Sequence, residues 1–125
     1  MHIGKFRNIV NVFKHTPVRI NTRIDAADLY RFGLAFKDLD KLNVAIKYFK
    51  ETIKIKPDHA AAYYDLGCIY LKQNKFNKAI LSFKKVIEID PNNALAHEGL
   101  GNIYIRSGKN DAAILEFEIA KELQI

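Results

Sequence analysis

Histidine, cysteine, glycine and lysine are the residues of this chain whose chemistry could be put to use, and their spacing decides whether it can be. The four histidines, His2, His15, His59 and His97, are scattered along the sequence. No two of them stand at a metal-ligand spacing, and no cysteine cluster accompanies them. Cys68 has no histidine close in sequence to take its proton, so a small filler of a groove or core is the expected role. Gly99-Leu100-Gly101 resembles part of a phosphate loop but lies inside a stretch with a helical pattern, where such a loop cannot form. The acidic residues fit caps and surface salt bridges. No catalytic residue, metal ligand or cofactor is therefore expected. The lysines Lys47, Lys50, Lys54, Lys78, Lys84 and Lys85 are interleaved with Glu51 and Glu88, as on a solvated helix face. With no nucleic-acid-binding motif beside them, a nucleic-acid partner is not expected.

The chain as a whole has the makings of one folded unit. Its 125 residues suffice for one continuous core. A hydrophobic share of 49% with 27% charged residues is ordinary globular composition and argues against wholesale disorder. The formal charge of +6 is unevenly spread. Lys5, Arg7, Lys14, Arg19 and Arg23 face only Asp25 in the first segment, whereas the last repeat described below is acidic. Cys68, the single cysteine, excludes an intrachain disulfide and fits a reducing setting. No apolar run approaches the ~18 residues of a membrane span, and no secretory signal opens the chain. A cytoplasmic location is the expectation.

What positions the side chains is a 34-residue period. Phe32-Gly33, Leu66-Gly67 and Leu100-Gly101 are related by it, as are Phe36, Tyr70 and Tyr104. So are Ala45, Ala79 and Ala113, then Phe49, Phe83 and Phe117, and Pro57 recurs as Pro91. A fixed period of this length predicts stacked helix–turn–helix units. Three repeats follow, 26–59, 60–93 and 94–125. Each first helix ends at a residue tolerant of left-handed backbone, Asp40, Asn74 or Gly108. Asn43, Asn77 and Asp111 stand where N-caps of the second helices are expected, and Pro57 and Pro91 stop those helices. Asp25, with Asp28 three residues on, is the expected cap of the first helix. The mid-helix glycines predict close helix approach, with Ala45, Ala79 and Ala113 as the small surfaces meeting them.

Residues 1–25 do not follow the period. Ile3, Phe6, Val10 and Phe13 form a helical stripe with basic flanks, so residues 1–15 read as a basic amphipathic helix ended by Thr16-Pro17. Such a helix could cap the first repeat, lie on an anionic membrane surface, or enter a neighbour's groove.

These residues resemble the tetratricopeptide repeat. Its pattern W-x2-L-G-x2-Y…A-x3-F…P appears as Tyr63, Leu66-Gly67, Tyr70, Ala79, Phe83 and Pro91, with Leu29 and His97 in the other tryptophan positions. The resemblance implies an all-α solenoid, a right-handed superhelix whose first helices line a concave groove for a peptide or protein segment, and no catalytic activity. By the same resemblance the groove presents Tyr30, Arg31, Leu34, Lys37 and Asp38 from the first repeat. The second adds Tyr64, Asp65, Cys68, Leu71 and Lys72, and the third Leu95, Glu98, Asn102, Ile105 and Arg106. Helical spacing supports this, since Tyr30, Leu34 and Lys37 share one stripe and Tyr64, Cys68 and Leu71 another. Exposed tyrosine and leucine among basic residues suit an amphipathic ligand with acidic groups. One subclass of the family grips C-terminal carboxylates with Lys, Asn and Arg. The matching positions here are Tyr30, Leu34, Asp65, Leu95 and Gly99, so that ligand is not expected.

The last helix carries a second apolar stripe, Ala112, Leu115, Ile119 and Leu123, where the earlier repeats keep charge at Lys78, Lys85 and Glu51. Self-association through Leu115, Ile119 and Leu123 is the expectation. The overall reading is an adaptor or scaffold, with a membrane-peripheral or self-assembling scaffold as the alternative.

Overall fold

Six helices make up the described residues, 23–124, of the computed structural model. They are α1 (Ala26–Asp38), α2 (Leu42–Ile55), α3 (Ala60–Lys72), α4 (Phe76–Ile89), α5 (Ala94–Arg106) and α6 (Asn110–Leu123). The expected helix at 1–15, with its membrane, capping and neighbour-groove readings, lies outside the described residues. No described helix is long and apolar enough to cross a membrane.

Consecutive helices pair as α1 with α2, α3 with α4 and α5 with α6, and the pairs stack through α2 on α3 and α4 on α5. Across the stack α3 reaches α5, whereas the second helices α2, α4 and α6 have no comparable packing among themselves. With side-chain bonds from α1 to Asp65 of α3, the first helices lie side by side along one surface, the inner one of the stack. This is an all-α helical repeat solenoid.

The turn inside each pair is one motif used three times. Asp40, Asn74 and Gly108 have φ of 58°, 60° and 79°, the left-handed region in which these residue types are tolerated. The amides of Lys41, Lys75 and Lys109 then bond back to the carbonyls of Phe36, Tyr70 and Tyr104 at 2.9, 2.8 and 2.7 Å, closing Schellman motifs. Because the motif closes so tightly, the second helices begin earlier than the sequence suggests. Lys41, Lys75 and Lys109 are their N-caps and make no side-chain cap bond. Asn43, Asn77 and Asp111 lie one position inside the helix, which corrects the capping expected of them.

Side-chain caps occur instead on the first helices. Asp25 and Asp28 form a reciprocal capping box, with the Asp28 amide 2.9 Å from Asp25 Oδ1. The Asp25 amide, followed by the Arg31 guanidinium, holds the Asp28 carboxyl below the usual carboxylate range. At the equivalent positions His59 Nδ1 accepts from the Ala62 amide at 3.1 Å, and Asn93 Oδ1 from the Ala96 amide at 3.0 Å.

The core is a single run of side chains threading the stack, with Phe49, Phe83, Val86 and Ile103 essentially sealed from solvent. The mid-helix glycines make room for the phenylalanine rings. A Cβ on Gly33 would lie 2.5 Å from the Phe49 ring, and one on Gly67 2.8 Å from the Phe83 ring. Gly99 meets the other side of the same Phe83 ring, at 2.6 Å. The Gly99-Leu100-Gly101 sequence is thus a seat for two aromatic rings, Phe83 and Phe117, at successive levels of the stack.

Candidate functional site

The inner surface is built from one stripe of each first helix. It holds a depression of about 260 Å³ bounded by Tyr30 of α1, Tyr64 and Asp65 of α3, and Leu95 of α5. Four residues expected in the groove from three different repeats therefore converge there. Ala60, Ala61 and Asn93 complete the wall. Of these, Asn93 could have been found as a helix cap, whereas two alanines carry no signal in a sequence.

Polar chemistry at this point centres on Asp65, which is buried at 6% exposure. Its carboxylate accepts the Tyr30 hydroxyl at 2.6 Å and the Lys37 ammonium at 3.0 Å. A carboxylate taken out of water needs such partners, and both come from the preceding repeat. Asp65 is thus a cross-repeat anchor beneath the groove rather than a free group upon it. Burial, and next the bond to Asp65, push the Tyr30 phenol well above its ordinary pKa. Tyr30 also lies against His59 and Phe49, with ring centroids 4.7 and 5.6 Å away.

Tyr64 is half-buried, its ring edge-on to Phe83 at 5.6 Å. Burial first, then the neighbouring Cys68, raises its phenol to about 12. The Cys68 thiol is itself pushed up by burial, so it lacks the thiolate character of a reactive cysteine. The two tyrosines expected to be exposed are thus partly absorbed into the core, because the partner helix within each pair brings Phe49 and Phe83 up behind them. Leu34, Lys37, Leu71 and Glu98 are likewise half-buried. Leu95 and Ile105 are the open apolar positions, each 53% exposed.

Arg31, Lys72, Arg106 and Glu98 are each held by a neighbour outside the groove set or by backbone. Arg31 pairs with Asp28, and Lys72 with Asp40 at 3.0 Å. Arg106 reaches down the stack to the Leu71 carbonyl at 2.9 Å and to the Asn74 side chain, with its guanidinium over the Phe76 ring. Glu98 accepts from the Gln124 amide. Asn102 is exposed. Away from this surface, Leu115 is 57% exposed while Ile119 and Leu123 are half-buried.

Three models of the tetratricopeptide repeat match the sequence, over residues 29–59, 60–93 and 82–115. The chain belongs to the tetratricopeptide repeat family. Among solved structures its solenoid is similar to that of MamA, at 30% identity and a TM-score of 0.78 over 99% of this chain and 71% of that one. The N-terminal domain of stress-induced protein-1 (STI-1) from C. elegans shares the fold at 17% identity and a TM-score of 0.73, over 78% of this chain and 83% of that one. So does the second TPR of Spaghetti (RPAP3), bound to the HSP90 peptide SRMEEVD. It matches at 23% identity and a TM-score of 0.75, covering 79% of this chain and 92% of that one. No curated protein sequence matches the chain.

Proposed function

We propose that this tetratricopeptide array is a protein-interaction adaptor that takes a peptide or protein segment along its inner surface. The observation that carries this reading is the depression shared by Tyr30, Tyr64, Asp65 and Leu95, which draws on all three repeats and leaves the Leu95 side chain open in its wall. Apolar surface left open between polar rims marks a contact site. An apolar side chain of the ligand enters the depression against Tyr64 and Leu95. Acidic groups on its flanks are met by Arg31 and Lys72. The Lys72–Asp40 pair is 65% and 74% exposed, and exposed pairs contribute less than about 1 kcal/mol, so Lys72 can exchange Asp40 for a ligand carboxylate. A free C-terminal carboxylate is a poor fit at the depression itself, where Asp65 already occupies Lys37.

The test is selection of binding peptides from a random display library, followed by chemical-shift mapping of a selected peptide on the full chain. Shifts should fall on α1, α3 and α5, and Leu95→Glu should weaken binding by about tenfold or more, roughly 1.4 kcal/mol, without lowering the melting temperature. Shifts confined to the outer helices α2, α4 and α6 would refute the reading.

A further inference from the structure

A second concavity lies on the other side of the array. It is a cleft of about 450 Å³ between α2, α3 and α4, floored by Tyr63, Leu66 and Tyr70 with Ile53 and Leu81 beside them. Tyr63, Leu66 and Tyr70 occupy the face of α3 opposite Tyr64, Cys68 and Leu71, so cleft and groove are separate surfaces. Three ammonium groups, Lys50, Lys78 and Lys85, stand round the cleft.

The cleft opens in the second repeat because Ser82 is small. Its hydroxyl turns back onto the Lys78 carbonyl at 2.9 Å and fills no space outward. One period earlier the position is Tyr48, whose ring stacks on Phe36 at 5.4 Å and fills the space that Ser82 leaves open. One period later it is Glu116, which closes the gap with His97 at 2.7 Å. The second repeat thus keeps a cationic, apolar-floored cleft where the repeats on either side carry a larger side chain.

We infer that this cleft receives the outer face of α6 from a second copy of the chain. That face carries Asp111, Leu115, Glu118 and Glu122, spaced so that all four share one side of the helix, and all four are exposed. Their counterparts one repeat earlier, Asn77, Leu81, Lys84 and Glu88, are exposed although α5 stacks behind them. The face is therefore an outer one whatever lies beyond α6. It offers an apolar side chain among three carboxylates, the complement of an apolar floor among three ammonium groups. Leu115 enters between Leu81 and Tyr63, and the carboxylates meet the lysines at the rim. Residues 1–22 are no rival for the cleft, since their charges, Lys5, Arg7, Lys14 and Arg19, have its own sign. Donor and acceptor surfaces differ, so the contact is heterologous, and each added copy brings a fresh cleft and a fresh α6.

The experiment is light scattering on the full chain after size exclusion, at micromolar concentration and low salt. The wild type should run above the 14.3 kDa of one chain, and its mass should fall as salt is raised. Lys78→Glu with Lys85→Glu, and separately Glu118→Lys with Glu122→Lys, should each give a monomer with an unchanged circular-dichroism melt. An equimolar mixture of the two variants should recover the assembly, since each reversed surface then meets one of opposite sign. Leu115→Lys, at an exposed position, should also give a monomer without loss of helix. A monomeric wild type would overturn the inference. So would assembly that survives either charge reversal, or a mixture that stays monomeric.

Discussion

Adding a single methyl group at Gly67 is the sharpest probe of how this stack is held together. On helix propensity alone, Gly67→Ala should stabilise α3 by about 1 kcal/mol. The tertiary structure reverses that sign. The new Cβ would lie 2.8 Å from the Phe83 ring, nearer than real contacts allow, so the ring would have to retreat. It cannot, because Phe83 is 1% exposed and Gly99 already holds its other side, where a Cβ would be 2.6 Å away. Overpacking of a tight core costs about 1–3 kcal/mol, and a ring clamped on both sides belongs in the upper half of that range. Net of the propensity gain, Gly67→Ala should lose about 1–2 kcal/mol. At about 3–5 °C per kcal/mol for a domain of this size, that is a fall of roughly 3–10 °C in melting temperature. Gly101→Ala supplies the comparison: its Cβ would lie 2.7 Å from Phe117, but that ring is half-buried and no second glycine clasps it, so the loss should be smaller. Chemical denaturation of both variants measures the difference, and Gly67→Ala with Phe83→Leu should recover part of the loss as a coupling energy. A Gly67→Ala protein as stable as the wild type would refute the argument that ring-on-glycine contact sets the helix spacing.

Three further perturbations follow from the same structure. Asp65→Ala should destabilise by about 1–3 kcal/mol, since it leaves the Tyr30 hydroxyl and Lys37 ammonium without their shared acceptor, and Asp65→Asn should cost less because its carbonyl still accepts from Tyr30. An unchanged melting temperature for Asp65→Ala would show that the cross-repeat anchor holds nothing. Asn93→Ala should cost about 1 kcal/mol by removing the cap of α5, whereas Asn77→Ala, inside α4, should be neutral or slightly stabilising. Equal losses at the two positions would contradict the cap assignment. Because burial raises the folded-state pKa of Tyr64 to about 12 from the usual 10, the unfolded chain releases that proton first as pH rises. Stability should therefore be unaffected below pH ~10 and fall between about 10 and 12. Ultraviolet titration of the phenolates should show a component ionising near pH 12 that Tyr64→Phe removes, and the same substitution should flatten the stability profile in that window.

The 34-residue period determined most of the architecture, because each repeat imposes the same local demands at the same offsets. A left-handed turn needs Asp40, Asn74 or Gly108 whatever surrounds it, and Pro57 and Pro91 end helices through their own missing amides. Such constraints act over a few residues, so they can be read from the residues themselves. The helix starts were misplaced for a related reason. Asn43, Asn77 and Asp111 are good caps in isolation, but the Schellman turn before them fixes the backbone first and leaves the capping position to lysine. What only the tertiary structure decided lies between repeats. The sequence marks Gly67 and Gly99 as places of close approach but not that both clasp one ring, since their helices meet only once the stack forms. Asp65 reads as an exposed groove residue until α1 brings Tyr30 and Lys37 to its carboxylate. Ser82 carries no signal of its own, yet its small volume, set against Tyr48 and Glu116 in the neighbouring repeats, opens a cleft. Period and turn chemistry are properties of one segment; burial, shared partners and empty space belong to pairs of segments far apart in the chain, and they arise only when those segments pack.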